Sequence, residues 1–243
     1  MVENQLEDAI LPKFFNIKEV KTSHETLCTL PDDKQIISGF VPEDTKMCFY
    51  THICYYTMKH SLELLLKNLT DKPYVIVETG CSTNQGTKST TLWDMFVNKY
   101  GGNVYSVDLD SNAVSKANQL TSEQTKVYCS DSVEFLKNFA KPIDFLYLDS
   151  YDVDFLNPLP SAQHHLNEFN AVKRLLRKGS IVLIDDTPLT AEWYDNACSI
   201  PSNDPRKINF DPNMSGKGSL VHIELEKMNA TKIMHQYQSL WVI

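Results

Sequence analysis

The sequence predicts an α/β protein: a doubly wound sheet of seven strands, mainly parallel, with an antiparallel C-terminal hairpin and helices on both faces. Three observations predict it. Between residues 73 and 184, five short apolar runs rich in β-branched and aromatic residues alternate with segments of helical length. That alternation calls for parallel strands joined by crossover helices. The first run, Val75-Ile76-Val77, leads into a loop containing Gly80 and Gly86 that opens a helical pattern. The last two runs are joined by residues 226–234, too few for a usual crossover, so they read as a hairpin.

Taken in order, residues 1–45 are mixed and punctuated by Pro12, Pro31 and Pro42, which predicts short helices and loops. Residues 47–68 carry a long helical signal. Ile53, Tyr56, His60 and Leu64 fall on one stripe, and Leu62, Leu65, Leu66 and Leu69 widen it. Asp71-Lys72-Pro73 stops that helix and introduces the first strand. Residues 1–72 are therefore expected to be a helical extension or cap, and 73–243 the main domain. Further strands are expected at 103–108, 126–129, 143–148 and 180–184, with helices near 90–100, 112–120, 132–139 and 161–177. Gly179 reads as the C-cap of the last helix. Residues 219–225 and 235–242 read as the two strands of the hairpin.

Composition narrows the function. The chain has 243 residues, 42% of them hydrophobic and 22% charged, with a net charge of −8. Those values are typical of soluble globular proteins. The acidic balance argues against a nucleic-acid partner, which a basic face would attract. The basic pairs Lys173-Arg174 and Arg177-Lys178 read as complements to a helix dipole. Six cysteines, Cys28, Cys48, Cys54, Cys81, Cys129 and Cys198, form no C-x-x-C pair. They are expected to be reduced, in a cytosolic protein without structural zinc. No apolar run approaches the roughly 18 residues of a membrane span.

In open α/β sheets, ligands sit at the carboxyl ends of the strands. The first strand ends in Glu78 and Gly80, followed by Ser82, Gly86 and Ser89. Glycine allows close backbone approach, and Ser89 or Thr90 can cap the helix. An acid at the position of Glu78 would repel a pyrophosphate, so a cationic ligand suits the site better than a dinucleotide. The second strand ends in Asp108, at the distance past the glycine loop where an acid accepts from ribose hydroxyls. Asp110 is the alternative, though it also reads as a helix cap. The third strand ends in Asp131-Ser132, where Asp131 is also a candidate N-cap. The fourth ends in Asp149 and the fifth in Asp185-Asp186. Three carboxylates gathered at one sheet edge repel one another unless a cation lies among them. Oxygen ligands alone suit Mg²⁺, with Mn²⁺ or Ca²⁺ as alternatives.

This set of motifs resembles the class I S-adenosylmethionine-dependent methyltransferases, which share a Rossmann-like sheet. Within them it resembles the metal-dependent macrocin-type sugar O-methyltransferases, with the catechol branch as a second relative. The resemblance covers roughly residues 73–242. It departs from the common loop at Ser82, which stands where a glycine is usual. It implies S-adenosylmethionine as cofactor, held by Glu78, Gly80, Ser82, Gly86, Ser89, Asp108, Asp131, Ser132 and Asp149. Asp131 would accept from the adenine amino group, with Ser132 beside the ring. It also implies Mg²⁺, or Mn²⁺, on Asp149, Asp185 and Asp186. The reaction implied is methyl transfer to a hydroxyl of a vicinal diol, foremost on a sugar. The alternatives are a catechol-like acceptor or a binding protein without activity. Asp152 is expected as the base, with Asp154 and Tyr151 as rivals. His165, or its neighbour His164 with Glu168 one turn on, is the further catalytic candidate. The loop 187–219, with Trp193 and Tyr194, reads as a lid. The expected partner is a small-molecule or glycan substrate, not nucleic acid or membrane; a homo-oligomer is left open.

Overall fold

The structure is a computed structural model. It describes residues 54–82, 89–191 and 203–243, together with the backbone of two short antiparallel strands, β1 (Thr26–Thr29) and β2 (Gln35–Ser38). That strand pair stands where the sequence predicted helices and loops. Gly86, Ile53, Trp193 and Tyr194 lie outside the described residues, as does most of the expected N-terminal cap.

The central sheet has seven strands: β3 (Tyr74–Thr79), β4 (Gly102–Asp108), β5 (Thr125–Cys129), β6 (Ile143–Leu148), β7 (Leu176–Ile184), β8 (Thr231–His235) and β9 (Ser239–Val242). Their order is β5-β4-β3-β6-β7-β9-β8. The first five are parallel, whereas β9 runs antiparallel to both β7 and β8. The order reverses between β3 and β6, which opens a crevice at their carboxyl ends.

Strand alternation sorts the core into two faces. Ile76, Phe145, Tyr147, Ile181 and Leu183 pack with helix α1 (Tyr55–Asn68) and helix α2 (Ser89–Tyr100). Their sequence neighbours Val77, Leu146, Leu148, Val182 and Ile184 point the other way. There they meet α4 (Ser132–Asn138), α5 (Leu159–Val172) and α7 (Ser219–Lys227). Strands buried on both faces explain why these runs are continuously apolar. Helix α3 (Ser111–Leu120) packs Val114 and Ala117 against Val127 of β5.

Four local expectations are corrected. The buried stripe of α1 is Cys54, Met58, Leu62, Leu65 and Leu69, while His60 and Leu64 are only half-buried. Helix α5 ends at Val172, and after a 3₁₀ turn (Lys173–Leu175) strand β7 begins at Leu176. Gly179 is therefore inside a strand, at φ 92°, where its N–H donates to the Ile243 carbonyl. Arg177 is paired with buried Asp144 at 2.6 Å, not aligned with a helix end. Residues 219–227 form a helix, and the hairpin is built wholly from 231–242 around Gln236-Tyr237-Gln238. Val221, Ile223 and Leu225 alternate as in a strand, but Val221 and Leu225 are also one helical turn apart, and those two are the buried pair. A short helical turn, α6 (Pro205–Ile208), lies in the loop before α7.

Candidate active site

The carboxyl ends of the parallel strands open into one cleft of about 540 Å³. It is lined by Gly80, Cys81, Ser82, Asp108, Ser130 and Ser132, and also by Asp149, Asp185, Asp186 and Lys217. Gly80 is required at the junction. It has φ 81°, and a Cβ there would stand 2.4 Å from the Asp149 carbonyl oxygen. Glycine thus lets the loop after β3 lie against the end of β6. Asp108 turns both oxygens to backbone donors, Cys81 N–H at 2.9 Å and Asp110 N–H at 2.8 Å, and still lines the cleft. The Thr90 hydroxyl accepts from Ser82 N–H at 2.9 Å, which ties the loop to α2. A small-residue loop beside an oriented carboxylate fits a nucleoside cofactor.

Several expected site residues lie elsewhere. Glu78 is fully buried and does not reach the cleft. Thr90 and Ser106 hydroxyls donate to its Oε2 at 2.7 and 2.6 Å, and Trp93 Nε1–H donates to Oε1 at 3.0 Å. It joins β3, β4 and α2 instead of meeting a cation. Burial pushes its carboxyl up to about 7 against those donors. Ser89 is likewise fully buried, away from the cleft. Asp131 accepts Glu134 N–H at 2.9 Å as the N-cap of α4 and is not among the cleft residues. Asp110 caps α3 in the same way.

His165 is corrected too. It is fully buried, with Nδ1–H donating to the Ser161 carbonyl at 2.7 Å, and burial lowers it to about 4. His164 is the histidine in the cleft wall. Its Nε2 lies 3.0 Å from the Ser132 hydroxyl and 3.2 Å from Glu168. Burial alone would raise the Glu168 carboxyl. The hydrogen bond from His164, the neighbouring His165 and bonds from Ser132 and Ser150 outweigh it and bring Glu168 to about 2. Asp152 is exposed and lines the cleft, as does Tyr151, whose ring lies over His164 at 5.2 Å. Asp154 accepts Leu156 N–H in a turn of its own and does not line the cleft.

Asp149, Asp185 and Asp186 do come together, each offering an oxygen within 4.8 Å of the others. By donor type they suit a hard divalent cation. A residue missed in the sequence stands among them. Lys217 Nζ lies 2.8 Å from Asp149 Oδ1 and 2.9 Å from Asp186 Oδ2, and the residue is 1% exposed. Other oxygens also have protein donors. The one proton of the Tyr147 hydroxyl goes to Asp185 Oδ2 at 2.9 Å, with Asp149 Oδ2 3.2 Å from the same hydroxyl oxygen. Gln238 Nε2–H reaches Asp185 Oδ1 at 3.0 Å, and Tyr237 OH reaches Asp186 Oδ1 at 2.6 Å. Burial would lower the Lys217 amine, but Asp149, Asp186 and Asp185 hold it well above its ordinary value. Burial and then Asp185 push Asp149 up, whereas Lys217 and Tyr237 overcome burial at Asp186 and hold it down.

The sequence delivers Lys217 through Gly216-Lys217-Gly218, a segment laid flat on the chain after β7. A Cβ on Gly216 would stand 1.9 Å from the Asp186 carbonyl oxygen, and one on Gly218 would stand 2.9 Å from the Thr187 side chain. Lys217 N–H donates to the Asp186 carbonyl at 3.1 Å and Gly218 N–H to Thr187 Oγ1 at 2.8 Å. Two glycines flanking one lysine were the only local signal.

A parallel sheet with this order, an antiparallel end and a cleft at its switch point define the class I S-adenosylmethionine-dependent methyltransferase fold. Residues 77–187 match a family model described as a methyltransferase domain. Among solved structures it is similar to MycE, a methyltransferase of the mycinamycin biosynthetic pathway solved with Mg, SAH and mycinamycin VI. That match has 15% identity and a TM-score of 0.51, over 77% of this chain and 49% of MycE. The chain thus spans about half the length of MycE. It is similar to the calicheamicin methyltransferase CalS11 at 12% identity and TM-score 0.50, over 77% of this chain and 79% of that one. SAH-bound PaMTH1 of Podospora anserina matches at 10% identity and TM-score 0.51, over 97% and 96% of the two chains. Identities this low speak to fold alone. No curated protein sequence matches the chain.

Proposed function

We propose that the chain is an S-adenosylmethionine-dependent O-methyltransferase acting on a hydroxyl of a small molecule or glycan, one of two neighbouring hydroxyls on a sugar. One observation carries the reading: the glycine turn at Gly80, the Asp108 carboxylate and the carboxylates after β6 and β7 line the same cleft. The cofactor, when bound, supplies a methyl group on a positive sulfur. Asp108 would accept from its ribose hydroxyls, and the Gly80–Ser82 backbone would lie against its amino-acid end. Asp152, at the cleft surface, would take the proton of the acceptor hydroxyl as its oxygen bonds to the methyl carbon and the methyl–sulfur bond breaks, leaving S-adenosylhomocysteine. The enclosing walls contribute by holding oxygen and methyl in line. The similarity to MycE, solved with Mg, SAH and mycinamycin VI, supports a small-molecule acceptor and is in keeping with a divalent ion at Asp149, Asp185 and Asp186. The carboxylates favour such an ion; the ammonium of Lys217 between two of them does not.

Calorimetric titration with S-adenosylmethionine tests the first half, and absence of binding ends the reading. Methyl transfer from labelled cofactor to a panel of glycosides and catechols tests the second. Glycosides are expected to accept the label; transfer to catechols alone would replace the sugar.

A further inference from the structure

The expected divalent cation and the observed lysine compete for one place. Mg²⁺ binds oxygen at roughly 2.0–2.1 Å and demands near-octahedral geometry. An ion at that distance from Asp149 and Asp186 would press on an ammonium that already holds both, 2.8 and 2.9 Å away. Lys217 has little freedom to withdraw. Its backbone is bonded to Asp186, its neighbour Gly218 to Thr187, and Gly216 and Gly218 are pressed against that same strand end. The Thr187 hydroxyl in turn donates to the Asp185 carbonyl at 2.7 Å, so lysine and carboxylates belong to one rigid unit. The side chain is 2% exposed and lines the cleft. It is not a surface lysine that happens to fall near acids.

We propose that Lys217 takes the place of the divalent cation: its tethered ammonium is the positive charge at the acceptor end of the cleft, and the chain works without a bound metal. The function of that charge in catalysis rests on the reading given under Proposed function; the exclusion of metal does not. The charge holds Asp149 and Asp186 together and lies beside the space where an acceptor oxygen would develop negative charge. Lys217 is thus a positioning residue for the carboxylates and an electrostatic complement to the acceptor.

The test uses the full chain with SAH present and Mn²⁺ as the probe, free Mn²⁺ being read by electron paramagnetic resonance. The wild-type protein is expected to leave Mn²⁺ free up to about 1 mM, the weak end of the affinity scale. Lys217→Met, similar in length but uncharged, is expected to take up one equivalent at least about tenfold more tightly, because the carboxylates lose their internal cation. Lys217→Arg should still exclude the ion. A purely structural lysine would not produce a gain of metal affinity. Stoichiometric Mn²⁺ uptake by the wild-type protein at about 10 μM overturns the proposal and needs no variant. A folded Lys217→Met that gains no affinity also overturns it. If that variant does not fold, Lys217→Gln takes its place, with the same two outcomes. Calorimetric titration of SAH without Mn²⁺ is run alongside. Failure of SAH to bind removes the methyl-transfer reading and leaves the metal result standing.

Discussion

At Gly216 a single hydrogen decides where a charge lies. The Cβ of alanine would stand 1.9 Å from the Asp186 carbonyl oxygen, and that oxygen is backbone, so no side chain can rotate away. Gly216→Ala is expected to lower the unfolding free energy by about 3 kcal/mol, the range of overpacked buried sites. Denaturant titration measures it. The variant should also lose the exclusion of Mn²⁺, since Lys217 moves with its neighbour. Beyond the two glycines flanking Lys217, none of this was legible in the sequence. Lys217 meets Asp149 across 68 positions, and what joins them is the strand order, which no local pattern records. Asp149, Asp185 and Asp186 were legible because each ends a strand, and strand ends of a parallel sheet share an edge. Glu78 also ends a strand, but side chains alternate along it, and Glu78 faces α2 rather than the cleft.

Elements show the same division between what pattern reveals and what packing decides. β6 and β7 were readable because a strand buried on both faces is an apolar run with few alternatives. Residues 219–227 were not, because their apolar spacing satisfies both periods and only the partners on β9 and α5 choose. Two elements carry pH effects. Glu78 joins β3, β4 and α2, and its folded carboxyl at about 7 lies above its ordinary value. A raised carboxyl adds stability that is complete below about pH 4.5 and is lost as pH rises through about 7. Glu78→Gln keeps an acceptor for Trp93 and lets the Thr90 and Ser106 hydroxyls turn to accept. Between pH 5 and 8 the wild-type protein should lose about 3 kcal/mol more than this variant, by chemical denaturation at each pH. The contact between α7 and the C-terminal hairpin behaves in the opposite sense. His222 and His235 lie 5.1 Å apart, and burial lowers them to about 3 and about 4. A depressed histidine favours the folded state above about pH 6.5, and that contribution is lost as pH falls toward the folded value. His235 Nε2 is 2.8 Å from the Thr187 carbonyl and His222 Nε2 2.8 Å from the Ser239 hydroxyl. Amide exchange in 231–242 should therefore quicken below pH 6 before exchange in β3 and β6 does.

Across the whole molecule, the sheet divides the chemistry between two halves that meet at β3 and β6. On the β4–β5 side the site residues are polar, partly exposed and held by backbone N–H groups, as Asp108 is by Cys81 and Asp110. On the β7–β9 side they are bonded by side chains, as buried Asp185 is to Tyr147 and Gln238. A ligand that must enter and leave needs the first kind of wall; a charge that must keep its position through a reaction needs the second. Substitutions in the two halves should therefore separate binding from turnover. Asp108→Ala removes an oriented carboxylate acceptor and is expected to weaken SAH at least about tenfold, near 1.4 kcal/mol, by calorimetry. Asp149→Asn keeps the backbone carbonyl that packs on Gly80, so its SAH affinity should stay within about threefold, while methyl transfer falls by at least about a hundredfold. If Asp149→Asn lost SAH affinity as Asp108→Ala does, the two halves would be one binding surface, and the acceptor end of the cleft would lie elsewhere.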